Sequence, residues 1–126
     1  MPKKKIMVID DNKEFLEELQ EMLNLTGYDT VVFSDGTSAL KMVSKIKPDV
    51  ILLDLKLGKK SGFHVASELK RFRKTANIPI IGMTGFYVEK EHAKRMNTVG
   101  VKTFLIKPFD SSEAIAKIKA VLKKKK

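Results

Sequence analysis

The sequence predicts an α/β protein in which a five-stranded parallel sheet carries helices on both faces, a doubly wound, three-layer arrangement. Three observations carry that expectation. Continuous apolar runs recur at Ile6-Met7-Val8-Ile9, Val50-Ile51-Leu52-Leu53, Pro79-Ile80-Ile81-Gly82-Met83 and Thr103-Phe104-Leu105-Ile106, and they lack the alternation of a strand with one wet face. Segments of helical apolar spacing lie between successive strands, the pattern of repeated βα units. The reactive side chains Asp10 and Asp11, Asp54, Thr84 and Lys107 each follow one of the runs, so parallel strands gather them at a single sheet edge.

Taken in order, the first strand is Ile6 to Ile9. Phe15, Leu16, Leu19, Met22 and Leu23 then repeat at helical spacing, and Thr26-Gly27-Tyr28 ends that helix with a glycine suited to a left-handed C-terminal position. Thr30 to Phe33 makes the second strand. Ser34-Asp35-Gly36 turns the chain into a helix bearing Ala39, Leu40, Val43 and Ile46, which stops before Lys47-Pro48 because a residue preceding proline avoids the helical region. After the strand ending at Leu53, a polar loop from Gly58 to Gly62 leads to a third helix marked by Phe63, Val65, Ala66, Leu69 and Phe72. Asn77 and Pro79 open the fourth strand. A weakly amphipathic helix follows from Val88 to Asn97, with Val88, His92, Ala93 and Met96 on one face, and its sparse apolar stripe predicts loose anchoring. His92 reads as a core or boundary residue, since no partner histidine completes a metal motif. Phe104 and Phe109 read as core aromatics. Asp110-Ser111-Ser112-Glu113 has capping-box spacing for a last helix carrying Ile115, Ile118, Val121 and Leu122.

A chain of 126 residues that is 43% hydrophobic is expected to fold as one domain, residues 1–126, burying about two-thirds of its unfolded surface. No appended output domain is expected within it, and residues 123–126 are expected to form a basic tail or frayed helix end. Without cysteine there is neither a disulfide framework nor a thiolate ligand or nucleophile. No apolar stretch approaches the roughly 20 residues of a membrane span, and no signal-peptide core precedes the first strand, so a cytoplasmic location is expected and no membrane partner.

A net charge of +10 raises the question of nucleic acid. The basic residues are mostly lysines spread over 3–5, 59–60, 70–74 and 123–126, with only three arginines, and no helix-turn-helix, zinc-finger or RNP-like motif accompanies them. Nucleic acid is therefore not the expected partner, and the lysines read mainly as solubilising surface.

Carboxylates converging at one edge repel unless a cation intervenes, and the natural cation for an all-oxygen set is Mg²⁺. In an open α/β sheet the carboxyl edge is also where ligands bind. Asp11 has a simpler reading as well, because Asp11-Asn12-Lys13-Glu14 has capping-box spacing.

The same residues carry a resemblance. The acidic pair after the first strand, Asp54 after the third with Gly62 eight residues on, Thr84-Gly85 after the fourth and Lys107-Pro108 after the fifth stand in the order and spacing of a response regulator receiver domain. The chain resembles that family from end to end. The resemblance implies a flavodoxin-like fold with strand order 2-1-3-4-5 and five helices. It implies that Asp54 is the phosphoacceptor, taking a phosphoryl group from a histidine kinase or phosphotransfer protein in a two-component system. Mg²⁺ would sit among Asp10, Asp11, Asp54 and the backbone carbonyl of Lys56. Lys107 would neutralise a phosphoryl oxygen, and Thr84 would donate its hydroxyl to another. Thr84 and Phe104 match the switch positions, and the fourth helix, fifth strand and fifth helix match the face that meets a downstream effector. Lys56 and Phe86 match positions at the rim of the site, where they would slow loss of the phosphate. Gly58 stands where the family usually has proline.

On this reading the chain is no enzyme in the ordinary sense, modifying itself rather than turning over a diffusible substrate. Two alternatives remain at this point: a Mg²⁺-dependent phosphohydrolase working through an aspartyl phosphate, whose Asp-x-Asp motif is absent, and a binding module independent of phosphorylation.

Overall fold

The computed structural model describes residues 3–56, 61–85 and 90–124. Its elements alternate as β1 (Lys5–Ile9), α1 (Lys13–Leu25), β2 (Asp29–Phe33), α2 (Gly36–Ile46), β3 (Val50–Asp54), α3 (Gly62–Arg71), β4 (Ile80–Thr84), α4 (Lys90–Asn97), β5 (Val101–Ile106) and α5 (Ser111–Lys124). The strands form one sheet in the order β2-β1-β3-β4-β5, and every neighbouring pair is parallel. This is the flavodoxin-like order expected from the sequence.

Alternate residues of each strand face opposite sides, which divides the core in two. Ile6, Val8, Leu52, Ile81 and Leu105 pack with Leu16, Leu19 and Leu23 of α1 and with Ala114 and Ile118 of α5. Met7, Ile9, Ile51 and Leu53 pack with residues of α2 and α3 and with Met96 of α4. The central strands are therefore buried on both faces, which explains their uninterrupted apolar runs. Full burial of a side chain such as Leu52 contributes about 2 kcal/mol.

Side chains fix where the helices begin. Asn12, Asp35, Ser61 and Asp110 each accept a hydrogen bond from the backbone N–H three residues on, at 3.0, 2.7, 3.1 and 2.9 Å. The α1 cap is thus Asn12 and not Asp11. Gly27 has φ +98°, the left-handed geometry anticipated after α1. At the end of α2, Lys47 itself turns left-handed, with φ 54°, because Pro48 forbids another helical turn.

Several details differ from the sequence reading. α3 begins at Gly62 and ends at Arg71, so Phe72 lies past its end in extended backbone and is 57% exposed. His92 is exposed, not at the core boundary. α4 is short and buries only Met96 among its described residues. Ile106, read as buried, is 47% exposed because it ends the sheet's edge strand. Lys123 and Lys124 continue α5. Val88 and Gly58, and residues 125 and 126, lie outside the described residues.

Candidate functional site: an acidic edge with one lysine

Four of the five strands deliver a reactive side chain on leaving the sheet. β1 ends at Ile9 and presents Asp10, with Asp11 next to it; Asp54 ends β3, Thr84 ends β4, and Lys107 follows β5. The backbone holds these exits together: the Lys107 N–H donates to the Thr84 carbonyl at 2.7 Å, the Leu55 N–H to the Met83 carbonyl at 2.9 Å, and the Asp10 N–H to the Phe33 carbonyl at 3.1 Å.

One carboxylate oxygen from each of Asp10, Asp11 and Asp54 lies within 4.8 Å of the others. Asp10 is fully buried, Asp54 is 6% exposed, and Asp11 faces solvent. Lys107 Nζ donates directly to Asp10 Oδ2 and stands 3.9 Å from Asp54 Oδ2. Three carboxylates gathered about the Lys107 ammonium offer an all-oxygen donor set of a kind that suits a hard divalent cation. The remaining carboxylate oxygens are oriented locally. The Asn12 N–H donates to Asp10 Oδ1 at 2.9 Å and the Lys56 N–H to Asp54 Oδ1 at 3.1 Å, each a short turn closed by an aspartate side chain.

Sequence reasoning did not place Phe15 in this site. Its ring lies 4.4 Å from Lys107 Nζ and meets Phe109 edge-to-face, with centroids 5.9 Å apart and planes at 89°. The aromatic pair forms an apolar wall that steers the lysine toward the carboxylates. The available signal was positional: Phe15 lies one helical turn beyond Asp11, and Phe109 two residues beyond Lys107. Gly62 is equally constrained. A Cβ there would lie 2.6 Å from both the Asp54 carbonyl oxygen and the Leu55 Cα, so the first turn of α3 presses on the backbone that carries Asp54.

Phe104 is partly buried and packs over Gly82, where a Cβ would lie 3.1 Å from its ring. Thr84 is half-buried and Lys56 exposed. Phe86 lies outside the described residues.

Burial pushes the Asp54 carboxyl above the usual carboxylate range; the Lys56 N–H opposes that, the charge of Asp10 adds to it, Lys107 opposes it, and Asp11 adds to it. The folded protein therefore holds this proton more tightly than the unfolded chain does. The stability associated with it is fully present below the unfolded value, about 3.9, and is lost as pH rises through the higher folded value. Asp54→Asn removes this loss while Lys107 keeps its partner Asp10. In metal-free buffer the variant is expected to be more stable than the parent at pH 7, with the difference shrinking toward pH 4. Urea unfolding at both pH values measures it; an asparagine variant less stable at pH 7 would contradict the electrostatic account.

Comparison with known proteins fits this geometry. A family model described as the response regulator receiver domain matches residues 6–119. The alkaline phosphatase synthesis transcriptional regulatory protein PhoP of Bacillus subtilis is 35% identical over 121 residues, covering 96% of this chain and 49% of its own length. The DNA-binding dual master transcriptional regulator RpaA of Synechocystis is 32% identical over 120 residues, covering 95% and 49%. This chain spans about half the length of these curated relatives. Among solved structures, the Vibrio cholerae chemotaxis protein CheY4 superimposes with a TM-score of 0.90 at 23% identity, covering 95% of this chain and 99% of that one. The receiver domain of Francisella response regulator 1452 gives 0.86 at 26% identity, covering 98% and 99%.

Proposed function

The chain belongs to the response regulator receiver domain family, and from that membership we propose that it is a phosphorylation-controlled switch whose phosphoacceptor is Asp54. The observation that carries this reading is the convergence of the buried Asp54 carboxyl with Asp10, Asp11 and Lys107 at one end of the sheet.

In the proposed step, a carboxylate oxygen of Asp54 attacks the phosphorus of a phosphohistidine on a histidine kinase or phosphotransfer protein. A P–O bond forms, the P–N bond breaks, and its electron pair returns to the imidazole. The Lys56 N–H holds Asp54 Oδ1, which leaves Oδ2, on the side of Lys107, as the attacking atom. Phosphoryl transfer passes through a largely dissociative transition state, so positioning and charge neutralisation are most of what the protein supplies. Lys107 moves from Asp10 toward the incoming phosphoryl oxygens, and the Thr84 hydroxyl donates to another of them. Asp10, Asp11 and Asp54, with the Lys56 carbonyl, would hold Mg²⁺, whose charge offsets that of the carboxylates and the phosphoryl group. The protein thereby assists its own phosphorylation and dephosphorylation and turns over no diffusible substrate.

The switch follows from two neighbours. Drawing Thr84 toward the phosphate vacates space beside β4 and favours an inward Phe104, which biases a two-state equilibrium of the face formed by α4, β5 and α5. The thin anchoring of α4 and the exposed Ile106 on β5 support that face as the effector surface. Lys56, exposed two residues beyond Asp54, slows the approach of water to the acyl phosphate.

Incubation with acetyl phosphate and Mg²⁺ tests the reading by intact mass. One phosphoryl group is expected on the parent chain, none without divalent metal and none on Asp54→Asn. Equal uptake by Asp54→Asn would overturn the assignment.

A further inference from the structure

The basic run Lys70-Arg71-Phe72-Arg73-Lys74 plays no part in the phosphoacceptor site. α3 spans ten residues from Gly62 to Arg71, about 15 Å of helix, so the run lies at the end of α3 farthest from Asp54. There it borders a groove of about 370 Å³ between α2 and α3. Leu40, Val43 and Leu69 line the groove with aliphatic surface, and Phe72 stands at its edge, 57% exposed. Arg73 and Lys74 also line it, and among the described residues neither is in an ion pair. The one acidic residue of the lining, Glu68, is paired with Arg71 at 2.9 Å, so its charge is already offset. An aliphatic slot beside uncompensated cations is complementary to a particular kind of ligand.

We propose that this groove docks an acidic segment of a partner protein that inserts one apolar side chain between α2 and α3. The anchor would replace water against Leu40, Val43 and Phe72, and flanking carboxylates would meet Arg73 and Lys74. Apolar contact in the slot supplies affinity, while the complementary charge steers encounter and selects the partner. A second copy of this chain is disfavoured as occupant, because two bodies each of net charge +10 repel. Nucleic acid matches the cations but leaves an aliphatic slot without a suitable group to fill it.

The chain contains no tryptophan, so a short peptide of Glu and Asp with one central Trp reports its own burial. Titrated into the full chain, this peptide is expected to bind saturably with a blue shift of its emission. Binding should weaken at least tenfold in the double variant Arg73→Glu/Lys74→Glu, in Phe72→Ser, and when the peptide's Trp is replaced by Ser. All these side chains are exposed and remote from Asp54, so phosphoryl uptake from acetyl phosphate should be unchanged and verifies folding. The proposal is overturned if binding is absent, if it survives the variants unchanged, or if the peptide without Trp binds equally well. It is also overturned if a single-stranded oligonucleotide binds more tightly and is lost in the same variants. Concentration-dependent self-association abolished by those variants would likewise overturn it.

Discussion

Lys107→Ala is expected to lower stability by about 2 kcal/mol in metal-free buffer, and saturating Mg²⁺ should recover much of that loss. The effect is one of charge. Asp10 is fully buried and Lys107 is its ion-pair partner, with Asp54 3.9 Å beyond. Removing one member of a buried pair typically costs 3–5 kcal/mol because the other charge is left uncompensated. Lys107 retains 25% exposure, so solvent screens part of the interaction and the lower figure applies. The three carboxylates then face one another with no cation between them, and a divalent ion becomes the remaining source of compensation, stabilising the folded state by mass action. Thermal unfolding with and without Mg²⁺ separates the possibilities. An equal deficit in both conditions would mean that the lysine matters for its packing on Phe15 and not for its charge.

Gly62→Ala should be still more damaging, by about 3 kcal/mol, the upper range for forced overpacking. The added methyl would lie 2.6 Å from the Asp54 carbonyl oxygen and the Leu55 Cα, and backbone atoms cannot rotate out of the way as a side-chain tip can. Relief requires α3 to lift or the end of β3 to shift, and either displaces Asp54, so divalent affinity should fall with stability. Gly85→Ala is the matched control, since nothing among the described residues lies within 4 Å of a Cβ there. Urea unfolding of the two variants gives the comparison; a Gly62→Ala protein within about 0.5 kcal/mol of the parent would show that α3 is not seated on Asp54 as tightly as the geometry requires.

The sheet and the edge that gathers the reactive side chains were legible because the signal is redundant. Continuous burial makes β1, β3 and β4 unmistakable, and parallel strands leave no choice about which edge receives Asp10, Asp54, Thr84 and Lys107. What escaped the sequence depends on single-residue geometry. Asp11 and Asn12 are both good capping residues, and only the fold decides that Asn12 caps α1, freeing Asp11 for the carboxylate cluster. Phe15 has the spacing of an ordinary core residue in α1, so its second role against Lys107 is invisible without the neighbouring loop. Phe72 fits the periodicity of α3 but follows Arg71 out of the helix, and His92 and Ile106 sit where too little structure covers them. In each case the pattern identified an element correctly, while its boundary or its cover was set by tertiary contacts.

Reducing the phosphorylated chain with borohydride and locating the product by peptide mass spectrometry identifies the phosphorylated residue directly. An acyl phosphate on an aspartate is reduced to the alcohol, leaving homoserine, whereas a phosphoester on serine or threonine is not. Homoserine at position 54 alone, formed only when Mg²⁺ and phosphodonor were both present, is the predicted result. Homoserine at position 10 or 11, or a borohydride-resistant phosphate on Thr84 or elsewhere, would contradict the assignment of Asp54 as phosphoacceptor.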